Sequence, residues 1–540
     1  MTEQAGIGHG QAVTAWRAAQ PAPRSAGDLP SEVLLNGFHP DRQPGGTVPL
    51  AVGASAGQPC RAELAALLQA DSPVEDADIV GAPILDADVL VVGAGGAGCV
   101  AALTAARLGA RVLLVAKLRI GDSNTVMAEG GIQAAIGADD SLQLHFDDTL
   151  RAGGFAADRT LVEALVTDAP AAVRWLIQEG MAFDLAEGSD RMGGTLLRKR
   201  PGGATAARLL SYRDLTGLEL MRALREAVLL QPGITLLDRH PAVELLTDDR
   251  GRCAGAALYD LAHERLVLAR AGVTVLTTGG AGRLHIAGFP TSNHYGATAD
   301  GLVMAYRVGA RLRDLDSFQY HPTGLAWPPH MAGTLVSEAA RAAGAHLVNG
   351  RGLRFVDELA TRDVVAAAIL RELAEGRGVA RDGTVGVFLD TPSLEREKSG
   401  ILTRNLVTLS HLARRAGMDP AAEPLLVRPT LHYQNGGIAI DAAGRTTVPG
   451  LLCAGEVAGG LHGRNRLMGN ALLELVVFGR RAGASAAADA RVERPRNVGI
   501  NHLADWRRGL IAQGLSLAEK APLLFPPYGN VGPIKRGAAA

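Results

Sequence analysis

The sequence predicts an α/β fold built on a doubly wound, Rossmann-like sheet. Three observations within residues 87–117 predict it. Residues 89–92 are a short, β-branched apolar run of the length of a buried strand. Gly93, Gly95 and Gly98 follow in G-x-G-x-x-G spacing, with Gly96 between them, and open an Ala-rich helical run to about Leu108. Residues 112–115 supply a second apolar strand, which completes one β-α-β unit. The first glycine makes a tight turn, the second lets backbone approach a pyrophosphate, and the third lets helix pack on strand. The helix start adds free N–H groups and a positive dipole end for phosphates. A dinucleotide is therefore the expected ligand of this turn. The acid expected about twenty residues on, for a ribose hydroxyl, is missing, because the second strand ends in Ala116 and Lys117. That argues against an ordinary NAD site.

With 540 residues the chain is too long for one ordinary core, and two or three domains are expected. Hydrophobic residues make up 47% and charged residues 20%, a globular composition. A net charge of −1 leaves no electrostatic footprint for nucleic acid. No apolar run approaches the roughly 18 residues of a membrane span. The start of the chain lacks a charged-then-apolar signal pattern, so a cytoplasmic protein is expected. Cys60, Cys99, Cys253 and Cys453 lie far apart with no C-x-x-C, so spacing offers no metal or iron–sulfur ligand set.

Residues 1–85 are rich in Ala, Gly, Pro and polar residues, with one helical patch at 62–69. They read as an N-terminal extension, a partly ordered arm over the main body. After the first unit, residues 119–136 form a loop in which Gly130 and Gly131 close into an apolar run. Helix-patterned runs at 161–179 and 217–230 flank a polar, Arg- and Gly-rich loop at 188–208. Residues 234–237 and the runs near 243–276 read as strands of a small antiparallel layer. Residues 273–278 end in Gly279-Gly280-Ala281-Gly282, and Ala299-Asp300-Gly301 opens the next helix, 302–308. From 316 to 427 short helical patterns alternate with loops. Residues 449–456 are a strand ending in Ala454-Gly455-Glu456, and a helix follows Asn470 over 472–487.

The loop Ser123-Asn124-Thr125-Val126…Gly130-Gly131 resembles the flavin-approach loop of the succinate dehydrogenase/fumarate reductase flavoprotein family, which includes the L-aspartate oxidases. Several separated motifs share the likeness. They are Gln319-Tyr320-His321-Pro322-Thr323-Gly324, Ser337-Glu338-Ala339-Ala340-Arg341, Thr361-Arg362-Asp363, Arg428-Pro429-Thr430-Leu431-His432-Tyr433 and Asn465-Arg466-Leu467. The likeness spans about residues 86–490. It implies an FAD-binding domain in two parts, 86–315 and 429–490, an inserted α+β capping (substrate) domain at 316–428, and a short tail at 491–540.

The resemblance implies FAD as cofactor, held by Gly93, Gly95, Gly96, Gly98, Lys117, Ser123, Asn124, Thr125, Gly130, Gly131, Gly279, Gly280, Asp300, Glu456, Asn470 and Leu472. In the family's respiratory members a His carries FAD covalently. Here Asn124 stands in its place and an amide cannot form that bond, so dissociable FAD is expected. The implied substrate is a C4 dicarboxylate, surrounded by His321, Ser337, Glu338, His432 and Arg466. Phe183 resembles a pocket aromatic of the family and reads equally well as a core residue. Arg and His suit two carboxylates held apart, since they make charge-assisted hydrogen bonds. The implied proton donor is Arg362, with Glu338 and Arg341 as its relay.

Fumarate reduction or succinate oxidation is the implied reaction. L-aspartate oxidase is the nearest alternative, although the E-G-G-H-S stretch associated with it is absent from 185–210. A flavin-binding subunit without turnover of its own is the alternative from another class. An iron–sulfur or other electron-transfer partner is open, and no metal of its own is expected.

Overall fold

A computed structural model describes residues 6–523 apart from 21, 25–28, 189–193, 493, 494 and 496. Part of the 188–208 loop and the end of the tail thus lie outside the described residues.

The organising strand is Ile84–Val92, longer at its start than the apolar run alone indicates. Strands Val112–Val115 and Ile234–Leu237 lie in turn on one side of it, and Arg265–Leu276 lies on the other, all parallel. Leu451–Cys453 joins the same parallel array beside Arg265–Leu276. Ala242–Thr247 and Cys253–Asp260 extend the sheet in antiparallel fashion. The expectation for 234–237 is thus corrected: these residues form the parallel edge of the main sheet. Only Ala242–Leu276 contributes the antiparallel layer.

Residues 89–92 are buried on both faces, as a central parallel strand requires. Helices Gly96–Arg107, Arg159–Gln178, Thr216–Leu230 and Asn470–Asp489 cover one face of the sheet. Helices Ala62–Leu68, Asp300–Arg307 and His502–Ala512 cover the other. All four cysteines are buried and free. Among the described residues no helix is long and apolar enough to cross a membrane.

A second sheet stands over the open end of the first. Its order is Ile7–Gly8, Val379–Arg381, Thr384–Asp390, Leu425–Gln434, Phe318–Leu325, with His346–Val348 beside Thr384–Asp390. The reading of 316–427 as short helices and loops is therefore corrected: the segment contains most of a sheet. Helix Arg362–Ala374 packs across it. Two features hide these strands. Pro322 and Pro429 sit inside them, where proline ordinarily argues against a strand. Burial on both faces also erases the polar–apolar alternation, as in Gly386-Val387-Phe388-Leu389.

The leading segment is built into both sheets. Ile7–Gly8 adds a parallel edge strand to the second sheet, and helix His9–Ala18 buries Ala12 and Trp16 against Val348, Phe388 and Leu426. Strands Thr47–Pro49 and Pro59–Arg61 pair as a hairpin, and Leu64 and Leu68 enter the core of the first sheet.

Candidate active site

The cleft between the two sheets is one continuous cavity. One end of it is walled by the glycine turn and by residues from four further segments: Lys117, Ser123–Thr125, Gly130–Gly131 and Gly279. The turn fits its expected role. Gly93 has φ 108°, a region that favours glycine, and a side chain at Gly98 would run into the Gly93 carbonyl. Helix Gly96–Arg107 begins at the cavity wall and sets the positive end of its dipole there, with the Gly96 N–H donating to Thr125 Oγ1 at 3.2 Å.

Lys117 donates to Asp300 Oδ2 at 2.8 Å and to Thr298 Oγ1 at 3.0 Å. Asp300 thus sets an acid beside the end of the second strand, and it also lines the cavity. Asn124 Nδ2 donates to Asn293 Oδ1 at 2.7 Å and to Glu456 Oε2 at 3.2 Å, while its Oδ1 accepts from the His294 N–H at 2.6 Å. That amide is spent on the protein itself. Burial pushes the Glu456 carboxyl up to about 7, against the pull of hydrogen bonds from the Gln434 N–H and Asn124. A backbone cradle of this shape at a helix start fits the pyrophosphate of a flavin dinucleotide.

The other end of the cavity holds two histidines and two arginines. His321 and His432 sit on the paired strands Phe318–Leu325 and Leu425–Gln434, their rings 5.2 Å apart. Burial, reinforced by Arg362 and other neighbouring charges, holds both imidazoles well below their usual range, so they are neutral at pH 7. Ser337 and Glu338 precede the short helix Ala339–Ala342, and Arg362 opens helix Arg362–Ala374. Arg466 lies in the turn before helix Asn470–Asp489, stacked 4.4 Å over the Tyr433 ring. Burial, then repulsion from Arg362, lowers Arg466 to about 10, and it stays cationic at neutral pH.

One residue ties these groups together. Gln319 Oε1 accepts from Arg362 at 3.0 Å and from Arg466 at 2.9 Å. Its Nε2 donates to Asn465 Oδ1 at 2.8 Å and to the Arg466 carbonyl at 2.7 Å. Arg362 Nε also donates to Glu338 Oε2 at 2.9 Å, and Arg341 stands 3.5 Å from that oxygen. Burial alone would raise the Glu338 carboxyl. The Arg362 and Arg341 charges outweigh burial and hold it below its usual range. Arg341 is itself lowered, first by burial and then, against Glu338, by Arg362. The set is a chain of alternating charge, Arg341–Glu338–Arg362, ending at the cavity.

The structure brings His321, Ser337, Glu338, Arg362, His432 and Arg466 to one cavity with the Gly93–Gly96 turn, Glu456 and Leu472. Five expected residues stand off it. Phe183 is packed into the core beneath the first sheet, a correction to its place among substrate groups. Asn470 is spent on His145 and Thr149 at 3.0 Å each, holding the helix start rather than facing the cavity. Gly280 abuts the Glu456 side chain, Gly98 closes on Gly93, and Arg341 lies behind Glu338. Two residues were missed. Gln319 was visible only as one letter of its motif. Glu129 lines the cavity and hydrogen-bonds with Ser337, and burial, then Asp214, pushes it up to about 8. Its sequence signal is an acid directly before Gly130-Gly131 in an otherwise apolar turn.

Residues 88–472 match the FAD binding domain family. The chain is 41% identical over 426 residues to one subunit of the fumarate reductase (CoM/CoB) of Methanothermobacter marburgensis, covering 77% of this chain and 75% of that one. It is also 41% identical over 415 residues to the L-aspartate oxidase of Streptomyces coelicolor, covering 74% and 68%. Among solved structures it resembles E. coli quinol fumarate reductase, with a TM-score of 0.72 at 33% identity over 80% of this chain and 74% of that one.

Proposed function

The chain is an FAD-dependent oxidoreductase that belongs to the succinate dehydrogenase/fumarate reductase flavoprotein family, and from that premise we propose that it interconverts fumarate and succinate. The observation that carries this reading is the pair of arginines, Arg362 and Arg466, bridged by Gln319 beside two neutral histidines. Bound FAD supplies hydride transfer at N5. The groups around the glycine turn, from Gly93–Gly96 to Lys117, Asp300 and Glu456, would hold it.

Arg466, His321, His432 and Ser337 hold the two carboxylates, the arginine through charge-assisted hydrogen bonds. Arg466 Nε is buried without a protein hydrogen-bond partner, which leaves a donor for a carboxylate oxygen. Donors fixed beforehand polarise the alkene without reorganising during the reaction. Arg362 delivers the proton to the second alkene carbon. Glu338, hydrogen-bonded to it, returns a proton, and Arg341 refills Glu338.

Turnover of purified protein with fumarate and reduced viologen, beside aspartate-dependent peroxide formation, tests the reading. Fumarate-dependent viologen oxidation is the expected result. L-aspartate oxidation is a second reading, supported by the equal identity to the Streptomyces oxidase. Peroxide formation alone would favour it, and an inert protein would favour a subunit that works only with an electron-transfer partner.

Two further results are expected. Acid precipitation releases all flavin colour into the supernatant, because Asn124 stands where a covalent link would need a histidine; colour retained by the pellet contradicts this. Dicarboxylate affinity falls as pH rises through about 8, where Glu129 ionises beside Ser337 and its new negative charge opposes the dianion. Glu456, nearer 7, contributes a separate step. Titrations of parent and Glu129→Gln by flavin absorbance separate them: the step near 8 disappears in the variant and the step near 7 stays.

A further inference from the structure

The family match begins at residue 88, so residues 31–43 lie outside it. They nevertheless touch the strand that carries Gln319 and His321 and the helix that Arg362 opens. Asp41 accepts the Phe318 N–H at 2.7 Å and the Tyr320 hydroxyl at 3.2 Å. The His39 ring packs edge-on against Tyr320 at 5.7 Å, and its Nδ1 accepts the Asp41 N–H.

Successive side chains of a strand point to opposite faces. Tyr320 is therefore held from behind through its hydroxyl, and Phe318 through its backbone N–H, while Gln319 reaches Arg362 and Arg466 and His321 lines the cavity. The ladder does not hold this stretch alone. Pairing with Leu425–Gln434 shifts register between Gln319 and Tyr320 and again between His321 and Gly324.

The same segment reaches the second element. Helix Ser31–Phe38 packs along helix Arg362–Ala374, with Leu34 buried in the core that holds Val364, Val365 and Ile369. Arg42 donates to Asn36 at 2.6 Å, tying the turn to the helix, and its charge acts on Asp363, the neighbour of Arg362. One short continuous piece of chain thus contacts both the strand of Gln319 and His321 and the helix that Arg362 opens.

We propose that residues 31–43 set the distance between His321 and Arg362, with Asp41 and Leu34 as positioning residues for the reaction. The inference rests on the dicarboxylate reading. A brace for the fold alone would lower thermal stability and FAD content together. A positioning role leaves FAD content near parental and lowers kcat far more than it weakens dicarboxylate binding, read by flavin absorbance.

The experiment compares full-length, FAD-loaded Asp41→Ala, Asp41→Asn and Leu34→Ala with the parent, using fumarate and reduced viologen. Asp41→Ala and Leu34→Ala are expected to lose about 10- to 100-fold in kcat, the scale of a small misplacement of reacting groups. Asp41→Asn, whose amide oxygen still accepts from Phe318, is expected to recover most of that loss. An active parent with an unchanged Asp41→Ala variant overturns this inference alone, as does a kcat loss that only follows lost FAD. A parent inert to dicarboxylates overturns the functional reading with it. If Asp41→Ala fails to fold, Tyr320→Phe replaces it. That variant removes one donor to Asp41 and is expected to lose a few-fold in kcat, roughly one hydrogen bond's worth; an unchanged kcat contradicts the proposal.

Discussion

Replacing Arg362 with Gln is expected to reduce fumarate turnover by about 10²–10⁴-fold, the contribution of a positioned acid. FAD should remain bound, because the groups around the glycine turn are untouched. The amide is long enough to keep part of the contact with Glu338 and Gln319, which Arg362 now reaches at 2.9 and 3.0 Å. It has no proton to give. Dicarboxylate binding should weaken by about 1–3 kcal/mol, the range for a hydrogen bond lost from a charged partner. Steady-state kinetics and a flavin-absorbance titration on the same preparation separate the two effects. Turnover within a few-fold of the parent would remove the proton from Arg362 and leave His321 and His432 as candidates.

Arg466→Gln should fail in the other direction. Arg466 stays cationic although burial and Arg362 lower it, and it lies over Tyr433 with one donor on Gln319. Truncating one partner of a buried, hydrogen-bonded charge pair costs about 2–5 kcal/mol. At tenfold per 1.4 kcal/mol, that raises the dicarboxylate Kd by at least roughly 30-fold. KM should rise with it, and kcat at saturation should fall less than in Arg362→Gln. A parental KM in Arg466→Gln would place two-ended recognition elsewhere.

The parts legible in the sequence are those whose signals are local. The unit from Ile84 to Val115 shows itself through a glycine turn between two apolar runs, and the structure differs only in the length of its first strand. Residues 234–237 carry no mark of their partner. A four-residue run pairs in parallel with Val112–Val115 across more than a hundred residues, and nothing local records that choice. The second sheet was hidden by Pro322 and Pro429 and by burial of both faces.

The site divides in the same way. Its histidines and arginines lie in motifs far apart along the chain, so a resemblance brought them together before any geometry did. Gln319 was readable as part of a motif but not as a bridge, since that role exists only once Arg362 and Arg466 are both placed. Phe183 was ambiguous because a buried aromatic looks the same in a core and in a pocket wall. Asp41 carries no signal at all: its partners are a backbone N–H and a hydroxyl from a strand far along the chain.

On the proposed function, this chain itself passes two electrons to a C4 dicarboxylate. The most direct measurement mixes the anaerobically reduced protein with fumarate and follows the flavin band through a single turnover. Reoxidation with one succinate formed per FAD is the expected result, with Arg362→Gln reoxidising far more slowly at saturating fumarate. A flavin that stays reduced under fumarate, yet is reoxidised when oxygen is admitted, would contradict the claim.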